Sequence, residues 1–141
     1  MPVEFTILPA RGLVYVRYEG HATVAEAGRA FGAYAGHPDA RPGQKQLVDL
    51  AGVISFETDF AKLMGLQAAK ADVFLAEGAQ TLLVYHAPDR LTFDMSTLIR
   101  RSWEGIPGMA VRVLQTEAEC LELLGQPERS IAALREAADI A

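Results

Sequence analysis

The sequence predicts an α/β protein: a mixed β-sheet opened by an N-terminal β-hairpin and continued by alternating helices and strands. Three observations carry this reading. Leu13 to Glu19 alternates at the period of a strand, with Leu13, Tyr15 and Arg17 on one face and Val14, Val16 and Tyr18 on the other. Thr81 to Tyr85 is an uninterrupted apolar run, of the kind buried on both faces of a parallel sheet. Between such strands lie segments of helical period, opened by capping residues and stopped by glycine.

Taken in order, Glu4 to Leu8 is a short first strand ending at Pro9, and the Ala10-Arg11-Gly12 link is short enough for a hairpin with Leu13 to Glu19. Gly20 and His21 break that second strand. Thr23 to Glu26 reads as a capping box, and Val24, Ala27, Phe31 and Tyr34 then mark one face of a helix that Gly36 ends. Gly28 and Gly32, inside this helix, suit close helix–sheet packing, or else room for a small ligand, with packing the favoured expectation. After a Pro/Gly-punctuated loop over 37–43, Lys45 to Leu50 forms the next strand. The second helix is expected from near Ser55–Thr58 to about Ala76. Its apolar stripe is Phe60, Leu63, Met64, Ala68, Ala71, Phe74 and Leu75, and Asp59, Lys62, Lys70 and Glu77 keep to the other side. The apolar strand 81–85 leads through His86-Ala87-Pro88-Asp89 into a third helix with an inner stripe of Leu91, Met95, Leu98, Ile99 and Ser102. Met109 to Leu114 is the last strand. Thr116 to Glu119 is a second capping box, opening the helix of Leu121 and Leu124. Pro127 suits the first turn of a final helix over about 127–140, whose thin stripe of Ile131, Leu134 and Ala138 could pack loosely or pair two chains. A single domain spans 1–141, with its core over about 3–125, and right-handed crossovers make the later strands mainly parallel.

Composition excludes several classes. At 141 residues, half of them hydrophobic, the chain is long enough to build a core without a metal, cofactor or disulfide. A formal net charge of −5 argues against nucleic acid, which calls for a basic stripe. Cys120 is the only cysteine and sits among leucines, where a buried inert thiol is expected. The opening residues lack the basic-then-apolar pattern of a signal peptide, and no apolar run approaches the ~20 residues of a membrane span, so the expectation is a cytoplasmic protein with no integral membrane segment.

Gln46-Leu47-Val48-Asp49-Leu50-Ala51-Gly52-Val53, with the element order, resembles the STAS domain, the fold of bacterial anti-sigma-factor antagonists of the SpoIIAA type. That family carries an Asp-Leu-Ser-Gly-Val-like strand end, then an Asp-Ser-Ser/Thr-Gly motif at a helix start, where a partner kinase phosphorylates a hydroxyl. Alignment without a gap puts Glu57 on the motif Asp, Thr58 on the first hydroxyl residue, Asp59 on the phosphorylated position and Phe60 on the glycine. A carboxylate at Asp59 is not phosphorylated by a Ser/Thr kinase, so regulation of the usual kind is not implied. The resemblance implies a non-catalytic interaction module whose partner is a protein, of regulatory-kinase or sigma-pathway type, bound through Asp49, Glu57, Thr58, Asp59, Phe60, Lys62 and Leu63. Glu57, Thr58 and Asp59 equally suit helix capping.

Sec14-type lipid-binding domains share this architecture, which leaves a second reading open: a small apolar or lipid-like ligand between helices and sheet. Phe56, Met64, His86, Phe93, Met95 and Trp103 are the residues expected to line such a pocket. His86 should emerge at a strand's carboxyl end near Asp49 and Asp89. The three histidines have no metal-ligand spacing, and neither Ser nor Cys sits on a nucleophile elbow, so no enzyme is expected. Arg100 and Arg101 with Trp103 make either a solvated helix end or a cationic–aromatic patch. A homodimer through the last helix or the hairpin edge remains open.

Overall fold

Twelve residues of unbroken strand, β3 (Lys45–Phe56), run through the middle of the protein and pair on both sides. The computed structural model describes residues 2–140. In chain order the elements are β1 (Val3–Leu8), β2 (Leu13–Ala22), α1 (Val24–Ala35), β3, α2 (Phe60–Phe74), β4 (Thr81–His86), α3 (Arg90–Trp103), β5 (Met109–Leu114), α4 (Glu117–Leu123) and α5 (Ile131–Ala137). The expected order of strands and helices is therefore present. The sheet runs β1-β2-β3-β4-β5, with β1 antiparallel to β2 and the other pairs parallel.

Spatial order follows chain order, so successive crossovers of one hand land on one face of the sheet. Helices α1, α2 and α3 accordingly bury Tyr34, Phe74, Met95, Ile99 and Trp103 against Val14, Val48, Leu50, Leu83 and Tyr85. The opposite face is left to the short α4 and α5, whose Cys120, Leu121, Leu124, Ile131 and Leu134 pack on Leu13, Tyr15, Leu47 and Val84. Burial pushes the Cys120 thiol up to about 12, aided by the negative charges of Asp49, Glu119 and Glu117, which is the inert setting expected of it. Ile131 and Leu134 are buried inside the protein, so the stripe of the last helix is already covered.

Several boundaries differ from the sequence expectation. Gly20 and His21 do not end β2: the strand continues to Ala22, with register shifts around Glu19 and Gly20 that absorb the glycine's φ of 71°. Ser55 and Phe56 belong to β3, pairing with His21 and Ala22, and not to the following helix. Helix α2 starts only at Phe60, because the Asp59 carboxylate accepts from the Lys62 amide, and it ends at Phe74 before a 3-10 turn over Ala76–Gly78. The last helix starts at Ile131, not near 127, because the Ser130 hydroxyl accepts from the Ala133 amide. Pro127 lies in the preceding loop, which Arg11 ties down through Gln126 and Glu128. The boxes at Thr23 and Thr116 cap α1 and α4, each hydroxyl accepting from the third residue's amide and donating to that residue's carboxylate.

The α1 glycines are not required by packing. A Cβ on Gly28 would meet Leu66 Cδ1 at an ordinary 3.9 Å, and one on Gly32 would meet nothing within 4 Å. Gly32→Ala should therefore gain the helix-propensity difference of about 1 kcal/mol with no steric penalty, read as a higher urea midpoint at unchanged slope.

Candidate functional site

The face under α1–α3 is not filled. A cavity of about 100 Å³ lies between it and the sheet, floored by Val14, Val16, Val48, Leu50 and Leu83 and roofed by Ala27, Ala30, Phe31, Leu63, Leu66 and Ile99. An empty volume of this size costs a core about 2 kcal/mol. Its lining is apolar with a few polar exceptions, and two of these come from one turn of α2. Gln67 is 1% exposed, and its Nε2 donates to Ser102 Oγ at 3.0 Å. Ser102 Oγ itself donates to the Ile99 carbonyl, which fixes the amide's orientation. The Tyr85 hydroxyl neighbours that amide and accepts from Trp103 Nε1 at 3.1 Å. Gln67 Oε1 nevertheless has no hydrogen-bond partner. Three residues on, Lys70 also lines the cavity. It has no ion pair or hydrogen bond among the described residues, and burial holds its amine down to about 8. Burial also pushes the Tyr18 hydroxyl, on the same wall, up to about 12.

On the other face, where β3 and β4 end, a polar cleft of about 480 Å³ is lined by Tyr15, Arg17, Asp49, His86, Glu117 and Arg135, among others. Asp49 and His86 are register partners on neighbouring parallel strands, so the pleat turns both to this side. The His86 Nδ1–H donates to Asp49 Oδ1 at 2.9 Å, and the same oxygen accepts from the Ala51 amide. The Tyr15 hydroxyl approaches Asp49 Oδ2 at 3.3 Å, under the Arg135 guanidinium. Burial works to raise the Asp49 carboxyl. The hydrogen bonds from His86, Ala51 and Tyr15 and the attraction of His86 outweigh it, and the net direction is down. Burial, then the Asp49 charge, pushes the Tyr15 hydroxyl up to about 12.

The start of α2 divides the residues that the sequence placed on one partner surface. Asp59 is the helix N-cap. Glu57 spans two elements: its Oε1 accepts from the Val24 amide at the start of α1, and its Oε2 lies 3.7 Å from Lys62 Nζ. Thr58 and Lys62 face solvent, whereas Leu63 lines the cavity. Phe60 is half-buried beneath the Arg101 guanidinium, 5.3 Å from its ring centroid. Arg101 thus meets Phe60 and not Trp103, which is buried beside Phe74. Asp49 lies in the polar cleft, away from this group.

Of the residues expected to line an apolar pocket, Phe56 and Met95 do. Met64 and Phe93 do not: they are 47% and 45% exposed, on the outer sides of α2 and α3. His86 belongs to the polar cleft, and Trp103 is packed behind Tyr85. Asp89 caps α3 by accepting from the Thr92 amide and forms no hydrogen bond or ion pair with His86. In the sequence, polarity places Lys70 outward and leaves Gln67 out of the apolar stripe. Their spacing is the signal: they stand four and seven positions after Leu63, on the line that ends at Phe74. Among the described residues no group of three or more His, Cys, Asp or Glu side chains could hold a metal, and no helix is long and apolar enough to cross a membrane.

This arrangement of five strands and five helices is the STAS, SpoIIAA-like fold. Among solved structures, the chain is similar to that of the anti-sigma-factor antagonist SpoIIAA in its unphosphorylated form. The TM-score is 0.53 and the identity 12%, over 87% of this chain and 97% of that one. At that identity the likeness is one of fold. No family model and no curated protein matches the sequence.

Because its pKa is lowered in the folded state, Asp49 contributes stability above the unfolded carboxyl value near 3.9, lost as pH falls through the folded value. Asp49→Asn is expected to cost about 1–3 kcal/mol at pH 7, with the gap from the parent closing below about pH 4. Urea unfolding of both proteins from pH 7 to pH 3 measures this, and a gap that stays constant with pH would contradict it.

Proposed function

We propose that this chain is a non-catalytic binding module that holds a small, largely apolar ligand between its sheet and helices α1–α3. The supporting observation is the 100 Å³ cavity beneath those helices. Cores normally pack to crystal-like density, and a void of this size works against folding. A ligand that fills it recovers the lost contacts and stabilises the folded state in proportion to its occupancy. The apolar floor gives such a ligand affinity, and the few polar groups give it orientation, as in small-molecule sites generally.

A second reading, a regulatory interaction with a protein partner, is favoured by the fold shared with an anti-sigma-factor antagonist and by the outward side of α2. Thr58, Lys62 and Met64 are exposed there. The gap-free sequence alignment puts Asp59 on that family's modified hydroxyl, and its capping bond makes it a poor probe, since replacing a cap costs about 1 kcal/mol in itself. Lys62→Glu and Thr58→Arg test the surface without that loss. The two readings are compatible, because α2 faces the cavity with one side and solvent with the other.

Native mass spectrometry of protein purified gently from its own host tests the first reading. The expected result is an added small-molecule mass that Ala30→Leu, which fills cavity space, diminishes while raising the unfolding midpoint of ligand-free protein. A bare chain in every preparation would contradict it, and a co-purifying protein released by Lys62→Glu would favour the second reading.

A further inference from the structure

Two polar groups on one turn of α2 have requirements that the protein leaves unmet, and both lie on the cavity. The Lys70 amine carries a positive charge at neutral pH beside an apolar floor, with no anion among the described residues to pair with it. The other charged residue of the lining, Glu57, is already engaged by the Val24 amide. Gln67 Oε1 is a buried acceptor without a donor, and the network through Ser102 and Ile99 keeps it from turning away. A buried acceptor without a donor destabilises the fold, and the half-buried Lys70 amine, which has no counterion among the described residues, stands one turn away from it at the same cavity, where one ligand could supply both complements.

We propose that the ligand is a short aliphatic hydroxy acid. Its carboxylate pairs with Lys70, its hydroxyl donates to Gln67 Oε1, and its carbon chain lies over Val16, Val48 and Leu83 of the sheet. Residues three apart on a helix lie on one side, so a carboxylate and a neighbouring hydroxyl can reach both groups together. The volume holds a chain of roughly four to six carbons, well short of a membrane lipid. This inference rests on the ligand-binding reading and adds to it the chemistry of the head group.

The pH dependence follows from the groups around Lys70. Tyr18 on β2, Tyr34 on α1 and Tyr85 on β4 line the same space, and burial raises all three hydroxyls. Between pH 7 and 9 the Lys70 amine is therefore the lining group whose charge changes, through about 8 in the ligand-free protein. Affinity for a carboxylate should hold below that value and fall as pH rises through it, whereas affinity for a neutral alcohol should not move.

Titration calorimetry with 2-hydroxyhexanoate, hexanoate and 1-hexanol tests the inference on the full chain. The expected order of affinity is hydroxy acid, then acid, then alcohol, with the acid losing affinity from pH 7 to pH 9. Lys70→Gln should weaken both acids by roughly tenfold to a hundredfold and leave 1-hexanol unchanged. Gln67→Leu should remove the preference for the hydroxy acid over hexanoate. Lys70→Gln removes an unpaired charge, and Gln67→Leu removes an unpaired acceptor together with its bond to Ser102, so each should stay close to the parent's ligand-free unfolding midpoint, which controls for misfolding. If 1-hexanol binds as tightly as the acids, or if Lys70→Gln leaves hexanoate unaffected, the head-group inference is overturned and the ligand-binding reading stands. If no probe binds and no small molecule accompanies the native protein, both fall.

Discussion

The pleat of β2, β3 and β4 divides this protein into two chemically different halves. Side chains alternate along each strand, and parallel register places like with like. Val14, Val16 and Tyr18 therefore share a face with Val48, Leu50, Leu83 and Tyr85, and Tyr15 and Arg17 share the other with Asp49 and His86. A one-residue slip of β3 against β4 would carry Asp49 to the apolar side and remove it from His86. The bond between these two side chains thus marks the register on which both cavity and cleft depend.

The helices inherit this division. Three consecutive crossovers cover one face, and only the two short C-terminal helices cover the other. The thinly covered face leaves an open polar cleft at the strand ends, the position where open α/β sheets commonly present functional groups. The face covered by α1–α3 holds the cavity. What sets the cavity apart is that the features least favourable to folding coincide there: an unfilled volume, an acceptor without a donor, and an amine without a counterion. Natural proteins tolerate such local inconsistencies at functional sites more often than elsewhere.

The sheet and the order of its helices were legible because their signals are local and redundant. The alternation of Leu13 to Glu19, the apolar run of Thr81 to Tyr85 and the hydroxyl caps at Thr23 and Thr116 each stand at an observed element. The ends of β2 and β3 were not legible, since Gly20 read as a breaker and the apolar signal of the third strand stopped at Leu50, yet the two strands support each other through an irregular register that no local signal encodes. The start of α5 depended on Ser130 and not on the proline before it. The cavity was the least legible feature, because reading a helix face by polarity assumes that polar side chains point outward. Gln67 and Lys70 break that assumption, and a pocket assembled from aromatic and methionine residues instead took in Met64 and Phe93, which face solvent.

The central claim, that the space beneath α1–α3 is a ligand site and not a packing defect, is tested most directly by a crystal structure of the protein purified from its own host. The account requires electron density in the cavity for a small molecule whose polar end lies within hydrogen-bonding distance of Lys70 Nζ and Gln67 Oε1. A collapsed cavity, with Lys70 extended into solvent and Gln67 Oε1 accepting from the Tyr85 hydroxyl, would contradict it.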